Sequence, residues 1–215
     1  MNPVALVEWA QGFHRRGTYS PVGIGFHWLM AALMTVQLGH GWYLAWQPAG
    51  GVKHLGYQTH AQIGLAIMLL GTLRFFWRGR VAAPRTVDEH SFMGRASLLV
   101  QVGLYFSFFA LPISGWVMWS TLPGDLPLSI AGVVPVPNLP FEQLSERLQH
   151  ALMQGAATAH LWIVWFTTLA IAGHSGAAVL HHVIARDRVL NAMIDLNGPE
   201  APGVLGSPRD AGPAA

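Results

Sequence analysis

The chain has 215 residues, of which 52% are hydrophobic and 10% are charged, whereas a soluble globular domain usually carries about 25% charged residues. It has too few surface-forming side chains for water to be its main solvent. It contains no cysteine, which excludes disulfides, thiolate catalysis and iron–sulfur ligation, so any metal must be held by nitrogen or oxygen. The formal net charge is only +2, and the basic residues border apolar segments, so the sequence gives no case for a nucleic-acid partner.

Four apolar runs dominate the chain and are long enough to cross a membrane. Residues 1–20 precede them as a cytoplasmic segment, either a helix lying on the membrane surface or a loose tail. The first run is too long for a cleavable signal sequence, so we expect an uncleaved first helix. Residues 21–195 are predicted to form an all-α integral membrane four-helix bundle, and residues 196–215, rich in Gly, Pro and Ala, a disordered tail. The predicted spans are about residues 22–46, 57–77, 97–119 and 156–184.

The basic residues predict the orientation of the spans, because Lys and Arg accumulate in short cytoplasmic segments. Ten of the twelve basic residues lie near the span ends on one side of the predicted membrane, and only Lys53 and Arg147 lie on the other side. We therefore expect both termini in the cytoplasm and outer loops at 47–56 and 120–155. Residues 141–150 are amphipathic and predict a short interfacial helix that could roof a site.

Four histidines form two depth-matched pairs. His160 and His174 lie fourteen residues apart in the last run, which returns to within ~40° of the same helix face after a climb of ~21 Å. His27 lies at the depth of His174, and His60 lies at the depth of His160. We call His27 and His174 the inner pair and His60 and His160 the outer pair, after the predicted orientation.

The two pairs indicate a haem protein. A ligating side chain inside a membrane span is costly to bury, so it normally faces the bundle interior and has a partner. Two histidines from different helices supply both axial nitrogens of a haem iron and leave no open position, which favours electron transfer over oxygen chemistry. The sequence thus predicts two haems b with these four histidines as the metal ligands, and no catalytic residue. Taken singly, each histidine could instead be a satisfied interhelical hydrogen-bonding residue.

A stripe on the second predicted helix adds further cofactor-binding candidates. His60, Gly64, Gly71 and Arg74 fall within ~80° of arc. Gly64 and Gly71 are expected to let a flat macrocycle approach the backbone, and Arg74 is expected to pair with a propionate of the inner haem. The alternatives are ordinary helix crossings at the glycines and an arginine that extends to the interface.

The remaining histidines are expected to have lesser roles. His40 lies roughly 220° around the helix from His27, which predicts that it faces away from the site and lies at the interface. His54 falls in an outer segment. His181 keeps near the ligand face at the inner end of the last run, where it could assist proton transfer, touch a propionate or simply mark the membrane boundary. Six tryptophans cluster near the predicted span ends, and a position at the lipid interface is expected for nearly all of them. They are Trp42, Trp46, Trp77, Trp116, Trp119 and Trp162.

At these positions the chain resembles the bacterial cytochrome b561 family, four-helix di-haem proteins related to the cytochrome b subunits of nickel–iron hydrogenases. The resemblance covers about residues 18–194. The order and spacing of the matching residues are specific, although single motifs are not. They are Tyr19, Ser20, His27, Trp28, His60, Gly64, Arg74, Arg78, Leu104, Tyr105, Leu111, Pro112, Gly115, His160, His174, Ala177, Ala178, His181, His182, Arg186 and Asp187.

The resemblance implies two non-covalent haems b, with His27, His60, His160 and His174 as axial ligands. It also implies a multi-pass position in the bacterial inner membrane and electron exchange with membrane quinone, with ubiquinone as the expected exchangeable substrate, in a respiratory chain. The function expected first is therefore electron transfer between quinone and a periplasmic-side redox partner, in contact with membrane lipid. The alternatives are a superoxide:ubiquinone oxidoreductase, the membrane anchor of a larger oxidoreductase, and a histidine-lined proton or metal transporter.

Overall fold

The computed structural model describes residues 2–15, 17–81, 91–122, 128–130, 133–187 and 189–196. Apart from residue 196, the predicted disordered tail lies outside these residues. The last long helix continues into one π-helical segment, His181–Ala185, and two short 3-10 segments occur at Phe141–Gln143 and Asn191–Met193. The α-helices and strands are α1 (Pro3–Arg15), α2 (Pro21–Trp46), α3 (Gly51–Arg80), α4 (Phe92–Ser120), β1 (Leu128–Ile130), β2 (Val134–Val136) and α5 (Glu146–Leu180).

Four helices, α2 to α5, are long and apolar enough to cross a membrane. Large hydrophobic side chains such as Val36, Leu99 and Leu169 are exposed on their outer faces, as expected for helices whose solvent is lipid. Close contacts join α2 to α3, α3 to α4, and α4 to α5. The predicted all-α membrane four-helix fold is confirmed.

The helices extend beyond the apolar runs from which they were predicted. α3 has 30 residues, which at ~1.5 Å per residue is longer than the ~30 Å hydrocarbon core needs. Hydropathy detects only the part of a helix inside the hydrocarbon, so the polar turns at its ends are missed. The predicted outer loop 47–56 is therefore too long, because α3 already begins at Gly51.

The predicted separate interfacial helix at 141–150 is wrong. Only Phe141–Gln143 forms a 3-10 turn, and Glu146 begins α5, which then runs without interruption to Leu180. Ser145 has the extended backbone of an N-cap residue. No proline follows it to break the chain of helical hydrogen bonds, so the amphipathic stretch becomes the first turns of the membrane helix.

The outer end of the helix bundle is partly covered by a pair of β-strands and not by the predicted interfacial helix. Strands β1 and β2 pair antiparallel, with Leu128 opposite Val136. Leu128 is almost fully buried and packs with Leu65 and Trp119 in a small apolar cluster. Trp119 is therefore buried inside the protein, and it is an exception to the interfacial position expected for nearly all of the six tryptophans near the span ends.

The N-terminal segment forms helix α1, which favours the first of the two alternatives expected for it. Ala10 and Phe13 of this helix are buried, and the Gln11 side-chain amide donates to the backbone carbonyl of Arg80 at the end of α3. This hydrogen bond connects α1 to the last residue of α3.

The apolar core occupies the middle of the bundle. Met30 and Met34 of α2, Ile67 of α3, and Phe108 and Leu111 of α4 form one buried cluster. Met30 follows His27 by three residues and Ile67 follows His60 by seven, so this cluster lies between the level of the inner pair and the level of the outer pair.

Candidate cofactor sites

The inner pair is brought together in the structure. His27 of α2 and His174 of α5 face each other across the bundle with their ring centroids 6.0 Å apart and their planes 57° to each other. Both side chains are half-buried. The depth match predicted from the sequence therefore corresponds to a real contact between two helices that are far apart in the chain.

The outer pair has nearly the same arrangement. His60 of α3 and His160 of α5 have ring centroids 6.4 Å apart and planes 64° to each other. Two metal–nitrogen bonds of ~2 Å, with about 1.2 Å from each ring centre to its nitrogen, place two ligand rings about 6 Å apart across one ion. Both pairs fit a single metal ion held between two imidazoles.

The number of donors also fits axial ligation. Among the described residues, no group of three or more His, Asp or Glu side chains is arranged to hold a metal ion. A non-haem metal centre normally needs at least three protein ligands. An iron whose equatorial positions are filled by a porphyrin needs only the two that each pair offers.

A cavity of about 500 Å³ surrounds the outer pair, within the range of small-molecule and cofactor sites, about 300–1,000 Å³. Its walls are mostly apolar and include both histidines of the outer pair. Three glycines also line it: Gly41 of α2, Gly64 of α3 and Gly115 of α4. A side chain at Gly41 would lie 3.1 Å from the His60 ring, so this glycine leaves room for the imidazole.

Two buried polar atoms at this cavity have no hydrogen-bond partner among the described residues: Nδ1 of His60 and Oε1 of Gln37. Gln37 is only 7% exposed, and its amide nitrogen donates to the backbone carbonyl of His60. Buried polar atoms normally have partners, so unpaired ones that line a cavity indicate a site that takes a further group. Sequence reasoning missed Gln37, because a single glutamine in an apolar run carries no spacing signal.

The two predicted glycines differ in their surroundings. Gly64 lines the outer cavity, where a side chain at this position would meet only the Gln37 amide, 3.7 Å away. Gly71 is buried, and a side chain there would lie 3.1 Å from Cβ of Phe108 and 3.6 Å from Cε of Met30. Gly71 thus allows α3 and α4 to pack closely, which was the alternative role, and its contact with a macrocycle stays a prediction.

Arg74 contacts the inner pair directly. Its Nη2 lies 3.4 Å from Nδ1 of His27, and its guanidinium lies over the Tyr105 ring, 5.4 Å from the centroid. The side chain is half-buried, and no Asp or Glu among the described residues forms a salt bridge with it. A cation held at this position fits the predicted role of pairing with an anionic group of a ligand, which stays a prediction.

Tyr19 lies just before α2, close to these charges. Burial raises the pKa of its phenol, and the positive charges of Arg78 and Arg74 act in the opposite direction. Tyr19 is therefore a neutral hydroxyl at neutral pH. It adds a hydrogen-bonding group, and no charge, to the inner end of the bundle.

His40 does not face away from the site, so that prediction is wrong. Its ring centroid lies 5.7 Å from that of His60. The rotation of roughly 220° from His27 turns His40 away from the inner pair, but it turns the ring towards α3, from which His60 projects. A residue of α2 that points away from the inner pair can therefore point towards the outer pair.

His54 also belongs to the outer site. It lies in the first turns of α3, lines the outer cavity, and stacks on Trp119 with ring centroids 5.7 Å apart and planes at 29°. The sequence assigned it only to an outer segment, because the apolar run begins after it. His54 and Trp119 form part of the wall of the cavity.

His181 is the C-cap residue at the inner end of α5. It begins the π-helical segment, and its Nδ1 pairs with the Asp187 carboxylate. Although slight burial would raise the pKa of Asp187, a hydrogen bond from the Val189 N–H and the interaction with His181 lower it. This pair supports the role of boundary residue for His181.

Comparisons with known proteins agree with this arrangement. The family described as "Prokaryotic cytochrome b561" matches residues 18–195. "Cytochrome b561 homolog 2" of Escherichia coli (strain K12) is 29% identical over 178 residues, which are 82% of this chain and 90% of that protein. "Cytochrome b561 homolog 1" of the same organism is 24% identical over 185 residues, 82% of this chain and 96% of that protein. The chain therefore belongs to the prokaryotic cytochrome b561 family and is a multi-pass b-type cytochrome of the bacterial inner membrane.

Proposed function

We propose that this protein is a di-haem electron carrier that exchanges electrons between membrane quinone and a redox partner at the outer face. The inner haem is held by His27 and His174, and the outer haem by His60 and His160. The observation that carries the proposal is the presence of two facing imidazole pairs, with ring centroids 6.0 and 6.4 Å apart, inside one bundle of membrane helices.

The continuity of α5 supports two separate levels for the two sites. One unbroken helix, Glu146–Leu180, carries both His160 and His174, so these two ligands are separated by ~21 Å along its axis. The buried cluster of Met30, Met34, Ile67, Phe108 and Leu111 fills the space between the two levels. An apolar core of this kind excludes water between the sites, and electrons are passed through protein alone.

The donor set supports electron transfer more than bond-making chemistry. Each haem, when bound, supplies an iron that alternates between the ferric and ferrous states. The two histidines of each pair would both bind that iron, and the iron would then have no position left for a substrate. The walls of the outer cavity around the ligand rings are mostly apolar.

Quinone is proposed as one partner because both pairs lie within the membrane-spanning helices. A lipid-soluble carrier reaches groups at this depth from the bilayer, whereas a soluble protein reaches only the ends of the bundle. Superoxide is less favoured as the partner at the outer face. The described charges there are mixed, with Glu142 and Glu146 beside Arg147, and Lys53 bonds to the carbonyl of Gln47, so no positive surface steers an anion inwards.

Reoxidation by quinone tests the proposal. Purified protein is reduced anaerobically with one equivalent of dithionite, and a short-chain ubiquinone is then added in substoichiometric steps. We expect the reduced α band to decay in proportion to the added quinone, because one quinone accepts two electrons and two protons to form the quinol. A sample without quinone controls for residual oxygen. Reduced protein that ferricyanide oxidises and ubiquinone does not would contradict quinone as the partner.

A further inference from the structure

Ser114 of α4 lies directly against the outer pair. Its Oγ is 2.9 Å from Nδ1 of His160, and the residue is only 9% exposed. The sequence gives no sign of this contact, because serines in apolar helices usually bond to their own backbone. The partner histidine, His60, has no hydrogen bond at its Nδ1 among the described residues.

The hydrogen bonds of Ser114 determine which nitrogen of His160 carries the proton. Oγ lies 2.7 Å from the carbonyl oxygen of Ala110 and 2.9 Å from that of Leu111. A carbonyl oxygen can only accept, and a serine hydroxyl has a single proton to donate. Two oxygens only 2.7 Å apart need a proton between them, so we assign the hydroxyl proton to the carbonyl of Ala110, the nearer of the two.

The bond between Ser114 and His160 must then be donated by the ring. His160 carries its proton on Nδ1 and gives it to a lone pair of the Ser114 oxygen. Nε2 is left without a proton, which is the form of a neutral imidazole that binds a metal.

We propose that Ser114 is the positioning residue of the outer site, and that it fixes both the tautomer and the orientation of His160 for ligation through Nε2. This inference rests on the proposed haem ligation. Hydrogen bonds to the second nitrogen of a ligating histidine hold the ring in place and make it a stronger donor to the metal. Gly115, the next residue, also faces the ring, and a Cβ at this position would be in ordinary van der Waals contact with Cε1 of His160, 3.8 Å away.

The test compares the Ser114→Ala variant with the wild-type holoprotein. We expect its ferric outer haem to be bound about tenfold more weakly, since loss of such a bond typically weakens metal binding 10–100-fold. A weaker donor favours ferrous iron, and a tenfold difference between the two oxidation states raises the midpoint potential of that haem by about 59 mV. Haem capture by excess apomyoglobin and a redox titration measure the two effects, and the inner haem is unchanged in both.

A matched control is available on the same helix. Ser107 is fully buried, bonds to the carbonyl of Gly103, and makes a hydroxyl contact with Thr167 of α5. Ser107→Ala therefore removes a buried α4–α5 hydrogen bond without touching a histidine. We expect it to leave the potential and the haem affinity of the outer site as in the wild type.

A second pair of variants separates the hydroxyl from the shape of the side chain. Ser114→Thr keeps a hydroxyl, and Ser114→Val has the same shape without it, so only Ser114→Val is expected to shift the potential of the outer haem. If Ser114→Ala does not fold, this comparison still shows whether the Ser114 hydroxyl affects the outer haem.

Three results would overturn the inference. They are an unchanged outer haem in Ser114→Ala, equal shifts in Ser114→Ala and Ser107→Ala, and equal shifts in Ser114→Thr and Ser114→Val. Each of them leaves the proposed di-haem function standing. Wild-type protein that binds no haem overturns the proposed function itself, and the role of Ser114 falls with it.

Discussion

His60→Ala is expected to abolish the low-spin signal of the outer haem and to lower the haem content of the purified protein from two towards one per chain. The outer site has two facing imidazoles, 6.4 Å apart, and loss of either leaves the iron with one protein ligand. The inner haem should keep its low-spin signal, because its ligands are on α2 and α5 at another depth. Electron paramagnetic resonance of the ferric protein, with haem quantification, measures both.

His40 provides the control for this experiment. Its ring is 5.7 Å from His60, so it is the closest described histidine outside the pair that could replace a lost ligand. His40→Ala should keep both haems, and the double variant His40→Ala with His60→Ala should lose the outer signal even if His40 substitutes in the single variant. Loss of both haems from folded His60→Ala protein would contradict the assignment of separate sites.

His174→Ala is expected to have the opposite selectivity, removing the low-spin signal of the inner haem and preserving that of the outer one. Among the described residues, His27 then remains as the only ligand candidate of the inner pair, with Nη2 of Arg74 3.4 Å from its Nδ1. His174→Gly should lose the same signal and regain it when imidazole is added, because the small ligand fills the space of the missing ring. His182→Ala, an exposed histidine on the same stretch of chain, should leave both signals intact.

The same spectra test the pairing. His27→Ala should remove the same spectral component as His174→Ala, and His160→Ala the same component as His60→Ala. If His60→Ala and His174→Ala instead removed one component in common, the two pairs would be wrongly assigned even though all four histidines were ligands.

The four-helix fold and the meeting of the two histidine pairs could be predicted from the sequence because both follow from helix geometry and from the depth of each residue in its predicted span. An apolar run long enough to cross the membrane has few alternatives to a helix. Residues fourteen apart on one helix must share a face. The apolar runs and the spacing of His160 and His174 were therefore sufficient, without any knowledge of loops.

The rest depends on contacts between helices, which a single sequence does not reveal. His40 was misplaced because its direction was judged from His27 and not from the neighbouring helix that carries His60. Gly71 packs on Phe108, and no periodicity distinguishes such a contact from clearance for a cofactor. Ser114 acts on His160 through a hydroxyl that also bonds to its own helix, so its role requires the positions of two helices at once.

The ends of the helices also could not be predicted from the hydropathy of the sequence. Hydropathy fades at Gly51 and Glu146, where polar residues begin α3 and α5, although the backbone is already helical there. The buried position of Trp119 follows from the hairpin that brings Leu128 against it. A proline-rich segment gives no periodic signal for strands as short as β1 and β2.

The most direct measurement is the haem content of the wild-type protein, determined by the pyridine haemochrome spectrum together with amino-acid analysis of the same sample. Two haems b per chain, both low-spin in the ferric state, are the result expected from two facing imidazole pairs. A folded protein that lacks a Soret band, or that holds a single haem when haem is supplied in excess, would contradict the account.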